Sequence, residues 1–160
     1  MITWRAVPGW AGLYEVSDEG QVRSVSRLAG TRIARGRILS HGRSNGGYHT
    51  VTFTRPGERA TMTVHRVVAD AFLGPRPEGW HRAHLNGDKG DNRVSNLAYQ
   101  SPSENERAKV AQGLNANANK THCPQGHAYD EANTRIDGRG SRSCKACQRE
   151  RNARVRQRAA

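Results

Sequence analysis

Apolar positions recur along the chain in short runs broken by turn-forming residues, the pattern of small strands more than of long helices. Between Trp4 and Arg27, Pro8-Gly9, Gly12 and Ser17-Asp18-Glu19-Gly20 bracket LYEVS and QVRSV, which predicts two short strands joined by a tight turn. Residues 28–47 are rich in Gly and Arg and read as loop, with a strand expected only near Ile38 and Leu39. From Tyr48, YHTVTFTR and GERATMTVHR set β-branched and aromatic residues on both sides of Pro56-Gly57, a hairpin signal. The period then changes: in HRVVADAFLG, Val67, Val68, Ala71 and Phe72 fall at helical spacing until Gly74-Pro75 ends the run. WHRAHL has the length of one strand of a second hairpin. Ser101 as cap, Pro102 at the first helical position and Glu104 as capping-box acid predict a helix to about Ala111, with Asn105 near its first turn.

Residues 112–121 are small and polar without periodicity and read as a linker. Beyond it, Cys123, His127, Cys144 and Cys147 form C-x3-H and C-x2-C pairs, a spacing suited to a structural tetrahedral Zn²⁺ site with no open position. His122 is an alternative ligand to His127. NTRIDGRGSRS, between the pairs, predicts a strand and a Gly turn. The tail QRERNARVRQRAA is strongly basic, and with Lys145, Arg149 and Arg151 directly at the second pair it reads as a nucleic-acid contact or as a solvated basic tail.

Composition narrows the partner. With 34% hydrophobic residues in 160, the chain supports small modules and not one large core. A net charge of +12 favours a polyanion, DNA or RNA, because phosphate contacts release condensed counterions. Arg5, Arg23, Arg27 and the arginines up to Arg43 form a diffuse N-terminal basic stretch, of which Arg23 and Arg27 are candidate DNA contacts. No apolar run approaches the length of a membrane span, and the first ten residues lack a secretory pattern, so no membrane association and a cytoplasmic location are expected. Three cysteines, two in a C-x2-C pair, favour metal ligation over disulfides.

The chemistry concentrates in HLNGDKGDNRVSNLAYQSPSEN, residues 84–105. An imidazole activates water near neutral pH, and amide or carboxylate oxygens suit a hard divalent cation, so this segment holds the parts of a phosphodiesterase. Read by residue type alone, NGDKGDN is equally a solvated turn and His84 an ordinary half-buried residue. His65, at the start of the first helix, reads as structural.

His84, Asn96 and Asn105, with the HLNGD, DNR and NL elements in register and VHRVVADAF upstream, resemble the HNH endonucleases, in particular their phage and intron homing-type branch. WRAVPGWAGLYEVSDEGQVRSVSR resembles the short modular motif found ahead of such domains. The resemblance implies an α+β fold: small N-terminal antiparallel strands, a ββα-metal core and a C-terminal zinc knuckle or ribbon unit with a basic tail. The segments would be 1–47, a DNA-contacting motif; 48–111, the nuclease domain; 112–121, the linker; and 122–160, the zinc module. His84 would be the general base, Asn96 would tie the loop and orient His84, and Asn105 would help hold Mg²⁺ or Mn²⁺. Products would carry 5′-phosphate and 3′-hydroxyl ends. The chain departs from the family at Ala83, where members carry a metal-ligating Asp; His81, Asp88 and Asp91 are candidate substitutes. Two readings follow: a metal-dependent DNA endonuclease, monomeric by preference, or a DNA-binding regulator or packaging accessory that has lost its chemistry. An RNA-binding role through the basic zinc unit leaves the nuclease motif unexplained.

Overall fold

Three antiparallel strands, β1 (Trp4–Ala6), β2 (Tyr14–Ser17) and β3 (Val22–Ser24), begin the fold, with Tyr14, Val16 and Val22 buried. The computed structural model describes residues 1–138 and 140–159, in two compact units, 1–112 and 113–160. The turn between β2 and β3 is tight: Ser17 donates its amide to Gln21 O at 2.8 Å, and Gly20 takes φ 82°. The same glycine has a second constraint, since a Cβ there would stand 3.0 Å from Asn92.

Residues 28–47 depart from the loop expectation. They contain a hairpin of β4 (Arg27–Ala29) and β5 (Arg32–Ala34), turned at Gly30 with φ 63°. Its cross-strand pair Leu28 and Ile33 is 74% and 73% exposed, so no apolar face alternates with a polar one and the sequence signal is lost. At Ile38 there is only an isolated bridge to Arg23, while Leu39 donates its amide to Val22 O.

A second sheet orders β6 (Gly42–Arg43), β7 (His49–Arg55) and β8 (Glu58–Thr63). Pro56-Gly57 makes the two-residue turn, with Gly57 at φ 74° as a type II turn requires of its third residue. β7 outruns β6, and the Tyr14 hydroxyl fills the gap: it donates to Thr54 O and accepts from Thr54 N, both at 3.0 Å. Tyr14 and Trp10 flank Phe53, with ring centroids 4.8 and 5.5 Å away.

Thr63 leads into α1 (Val64–Phe72), which turns Val64, Val67, Val68 and Ala69 inward. The second hairpin is β9 (His81–His84) with β10 (Leu97–Gln100), and Leu97 pairs with His84. α2 (Pro102–Ala111) follows with the full Ser101/Glu104 capping box. One cluster joins Val7, Trp10, Tyr14, Val16 and Val22 to Val51, Phe53, Val64, Val67, Val68 and Leu97. Segments 1–47 and 48–111 therefore share a core and are not separately packed domains.

In the second unit, β11 (Thr134–Ile136) pairs with β12 (Arg142–Cys144), and α3 (Lys145–Ala159) follows. Residues 149–158 of α3 are exposed. Among the described residues no helix is long and apolar enough to cross a membrane.

Because Phe53 is fully buried between strands from both segments, Phe53→Ala is expected to destabilise residues 1–112 by about 3–5 kcal/mol. A urea denaturation midpoint unchanged from wild type would contradict the shared core.

Candidate active site and metal centre

The β9–β10 connection is a polar loop of residues 85–96 that cannot build a core, and buried amides organise it instead. Asn96, 8% exposed, accepts from the Asn86 amide at 3.0 Å and donates to Asn86 Oδ1 and Asp91 O, both at 2.9 Å. Its own carbonyl accepts from Leu85 N at 2.8 Å. These four bonds close the loop directly behind His84. Asn92, 5% exposed, is the second anchor: its Oδ1 lies 3.2 Å from His84 Nε2, and its Nδ2 lies 3.0 Å from Gly90 O and 3.3 Å from His49 Nδ1. Val94 donates to Asp18 O at 2.8 Å, tying the same loop to the β2–β3 turn.

His84 ends β9 half-buried. Tyr48 stacks on it with centroids 6.1 Å apart, and His65 meets it edge-on at 5.0 Å. Lys89 reaches back over the Tyr48 ring and donates to Gly46 O at 2.9 Å. His65 thus stands directly beside His84. Burial, with the neighbouring His84 and Arg82 charges, lowers its pKa to about 4, and its Nδ1 is buried without a hydrogen bond.

Asn105 lies half-buried on the first turn of α2, and its amide N donates to Ser101 O. Among the described residues its side chain makes no hydrogen bond, while the ring and hydrogen-bond neighbours of His84 are Tyr48, His65 and Asn92. Ala83 is 7% exposed opposite Ala98 and offers no ligand atom. The substitutes are poorly placed. His81 is exposed at the far end of β9, opposite Gln100. Asp88 Oδ1 accepts from Gly90 N at 2.8 Å. Asp91 is engaged by Arg93 at 2.7 and 2.8 Å, a bond that pulls its carboxyl down to about 2. Ala83 thus supplies no carboxylate to a hard cation at this loop, while Asp88 is exposed and bonded through Oδ1 to a backbone amide.

The other cluster is complete. Cys123, His127, Cys144 and Cys147 place four ligand atoms within 4.8 Å of one another. Four of these separations are close to tetrahedron edges: Cys123 Sγ is 3.6 Å from both His127 Nδ1 and Cys147 Sγ, and His127 Nδ1 lies 3.3 Å from Cys147 Sγ and 3.7 Å from Cys144 Sγ. A metal with bonds of about 2.3 Å to sulfur demands tetrahedron edges of about 3.7 Å. Two knuckles set this up, one turned at Gly126 with φ 82°, the other presenting the Cys147 amide to Cys144 Sγ at 3.5 Å. That amide and the Asn133 side chain, 3.3 Å from the same sulfur, draw the Cys144 thiol down to about 6, whereas burial among its neighbours pushes Cys147 up to about 12. Glu150, 3.4 Å from His127 Nε2, turns Nδ1 toward the sulfurs. His122 stands apart, 3.0 Å from Thr121 Oγ1.

The basic candidates differ. Arg23 is engaged with Glu15 at 2.6 Å and lies over the Trp4 ring at 4.0 Å. Arg27 is on β4, half-buried. Lys145 donates to Ala132 O at 3.0 Å, while Arg149 and Arg151 are exposed on α3. Sequence reading passed over Asn92, His49, Tyr48 and Asn133. The DN pair in GDNR and the YH pair opening β7 were the only signals, and neither has a spacing that links it to His84 before the fold is known.

Residues 3–54 match the NUMOD4 motif and residues 63–107 match the HNH endonuclease family. The two matches follow one another along the chain, the NUMOD4 match first and the HNH endonuclease match second. Its similarity to a particular protein is clear: over 110 residues it is 30% identical to DNA endonuclease I-HmuI of Bacillus phage SP01, spanning 69% of this chain and 59% of that one. It is also 36% identical over 70 residues to YosQ of Bacillus subtilis (strain 168), an SPbeta prophage protein whose name places it with the HNH homing endonucleases; this covers 42% of the chain and 40% of YosQ. A solved structure of I-HmuI, described for its DNA binding and cleavage, matches with a TM-score of 0.59 at 28% identity, covering 71% of this chain and 60% of that one. The chain thus spans about three fifths of the I-HmuI length.

The His65 environment sets a pH dependence. Its folded pKa lies below the ordinary histidine value, so the unfolded chain binds the proton more tightly between about 6.5 and 4. The stability of residues 1–112 is therefore full above about 6.5 and declines as pH falls toward 4. The urea midpoint of His65→Gln is expected to fall less between pH 7 and pH 4 than that of wild type; parallel declines would refute this environment.

Proposed function

We propose that the chain is a metal-dependent DNA endonuclease of HNH type that hydrolyses phosphodiester bonds in duplex DNA. The observation that carries the proposal is the fixed imidazole of His84, stacked by Tyr48 and anchored by Asn92, at the mouth of a loop closed by Asn96. His84 takes the proton of the attacking water. Asn96 holds the loop that presents His84, acting through position and not through contact with the reacting atoms. Asn105, through its amide oxygen, would help hold Mg²⁺ or Mn²⁺, which would supply charge stabilisation at phosphorus and the leaving oxygen.

We assign residues 122–160 to a Zn²⁺ module, whose exposed Arg149 and Arg151, with Lys145, lie along the DNA backbone as Arg27 does from the N-terminal motif. Arg23, paired with Glu15, contributes once that pair opens. Residues 112–121 link the module to the nuclease segment. With one site per chain, a monomer nicks a single strand. Three reduced cysteines suit a cytoplasmic setting. Ala83 favours a second reading, a DNA-binding protein without cleavage.

Relaxation of supercoiled plasmid with Mg²⁺ or Mn²⁺ separates the two. Wild type is expected to nick, and His84→Ala to lose about 10²–10⁴-fold in rate while binding DNA as before. Ala83→Asp is expected to lower the metal concentration needed for half-maximal rate. Salt-sensitive binding with no nick from either wild type or Ala83→Asp would establish the non-catalytic reading.

Chelation tests the zinc assignment. One Zn²⁺ per chain is expected, and its removal should abolish hydrogen-exchange protection in residues 122–147 while leaving β7 and α1 protected. Full protection after chelation would refute a structural metal.

A further inference from the structure

One backbone carbonyl determines the proton positions around His84. Gly90 O can only accept, so the Asn92 atom 3.0 Å from it must be the nitrogen. Its second hydrogen points to His49 Nδ1 at 3.3 Å, which must then carry a lone pair, leaving the His49 proton on Nε2. The other end of the amide is fixed as Oδ1, which also only accepts. His84 Nε2, 3.2 Å away, must therefore carry the proton. Each assignment forces the next.

We propose that Asn92 and His49 form a positioning relay that holds His84 with its proton on Nε2 and its lone pair on Nδ1, so that the N-terminal motif contributes to the nuclease site. The relay rests on the nuclease reading for the role of the imidazole, although the tautomer itself does not depend on that role. Proton uptake at Nδ1 leaves the Nε2–H to Asn92 bond in place and makes it charge-assisted, so the ring keeps one orientation before and after it takes a proton.

The relay crosses the two matched segments. His49 and Gly20 lie within residues 3–54, whereas Asn92 and His84 lie within residues 63–107. Gly20 lies so close to Asn92 that a Cβ there would stand 3.0 Å from the Asn92 Cβ and carbonyl oxygen, so the turn that meets Asn92 has no room for a side chain at that position. Tyr48 directly precedes β7 and His49 begins it, so one short stretch both stacks His84 and fixes its hydrogen bond. Neither Asn92 nor His49 needs to touch substrate for this.

The test has two readouts on the full chain. In wild type without DNA, ¹⁵N NMR of the imidazoles at a pH where His84 is neutral is expected to show the Nε2–H tautomer; a predominant Nδ1–H tautomer overturns the relay. In single-turnover nicking at saturating DNA, Asn92→Ala is expected to lose about 10²-fold and His49→Ala about tenfold, while His49→Asn, which keeps an acceptor near the Nδ1 position, returns to within about threefold of wild type. A merely structural His49 would be replaced as poorly by Asn as by Ala, and that result would also overturn the proposal. If wild type does not nick, the nuclease reading fails, and the spectrum alone decides the relay.

Discussion

The constraint on which the site depends is the burial of two asparagine amides beneath a loop with almost no apolar residues. An unpaired buried amide costs more than one of its hydrogen bonds returns, so Asn92 and Asn96 are tolerable only when nearly every donor and acceptor is matched. Asn96 meets this with bonds to Asn86, Asp91 and its own amide's partner, Arg93 O. Asn92 meets it with Gly90, His49 and His84. A fully satisfied network has few alternatives, and so a polar loop acquires the fixed geometry that apolar packing gives elsewhere.

That network would not exist without the first 55 residues. Asp18 O takes the Val94 amide, Gly20 leaves the room that Asn92 needs, and the stretch entering β7 brings Tyr48 to the His84 ring and His49 to Asn92. The strands that supply these groups are themselves held by the core around Phe53, and Tyr14 satisfies Thr54 where β6 has ended. Two sequence motifs joined end to end are thus a single structural unit. Exchange of such a motif between proteins has to preserve the turn at Gly20 and the start of β7 as well as any DNA-facing residues.

Elements with an inward and an outward face were legible. α1 has a buried stripe, β7 alternates about Val51 and Phe53, and α2 advertises its start through Ser101 and Glu104, so periodicity and cap chemistry marked all three. The β4–β5 hairpin was not legible because Leu28 and Ile33 face solvent and leave no alternation to find. The site divides similarly. His84, Asn96 and Asn105 stand at the register positions of a known pattern. Asn92 works through His49, 43 residues away in sequence, and such a contact is created by the fold and by no local rule.

The second unit solves the problem of too little core in another way. Its described buried apolar groups are the thiols of Cys123 and Cys144, far short of what would order about 40 residues by hydrophobic burial. Three sulfurs and one ring nitrogen within 4.8 Å are not a stable arrangement on their own, because each further thiolate is repelled by those already formed. The opposite shifts of Cys144 and Cys147 express this: the Cys147 amide and Asn133 support the first charge, and the next is resisted. A dication at the centre would reverse the sign of that interaction for all three sulfurs at once, which would make closing the knuckles and binding the ion a single event. α3, exposed from Arg149 to Arg158, then gains its anchor from Cys147 and Glu150 and has no need of a buried apolar stripe.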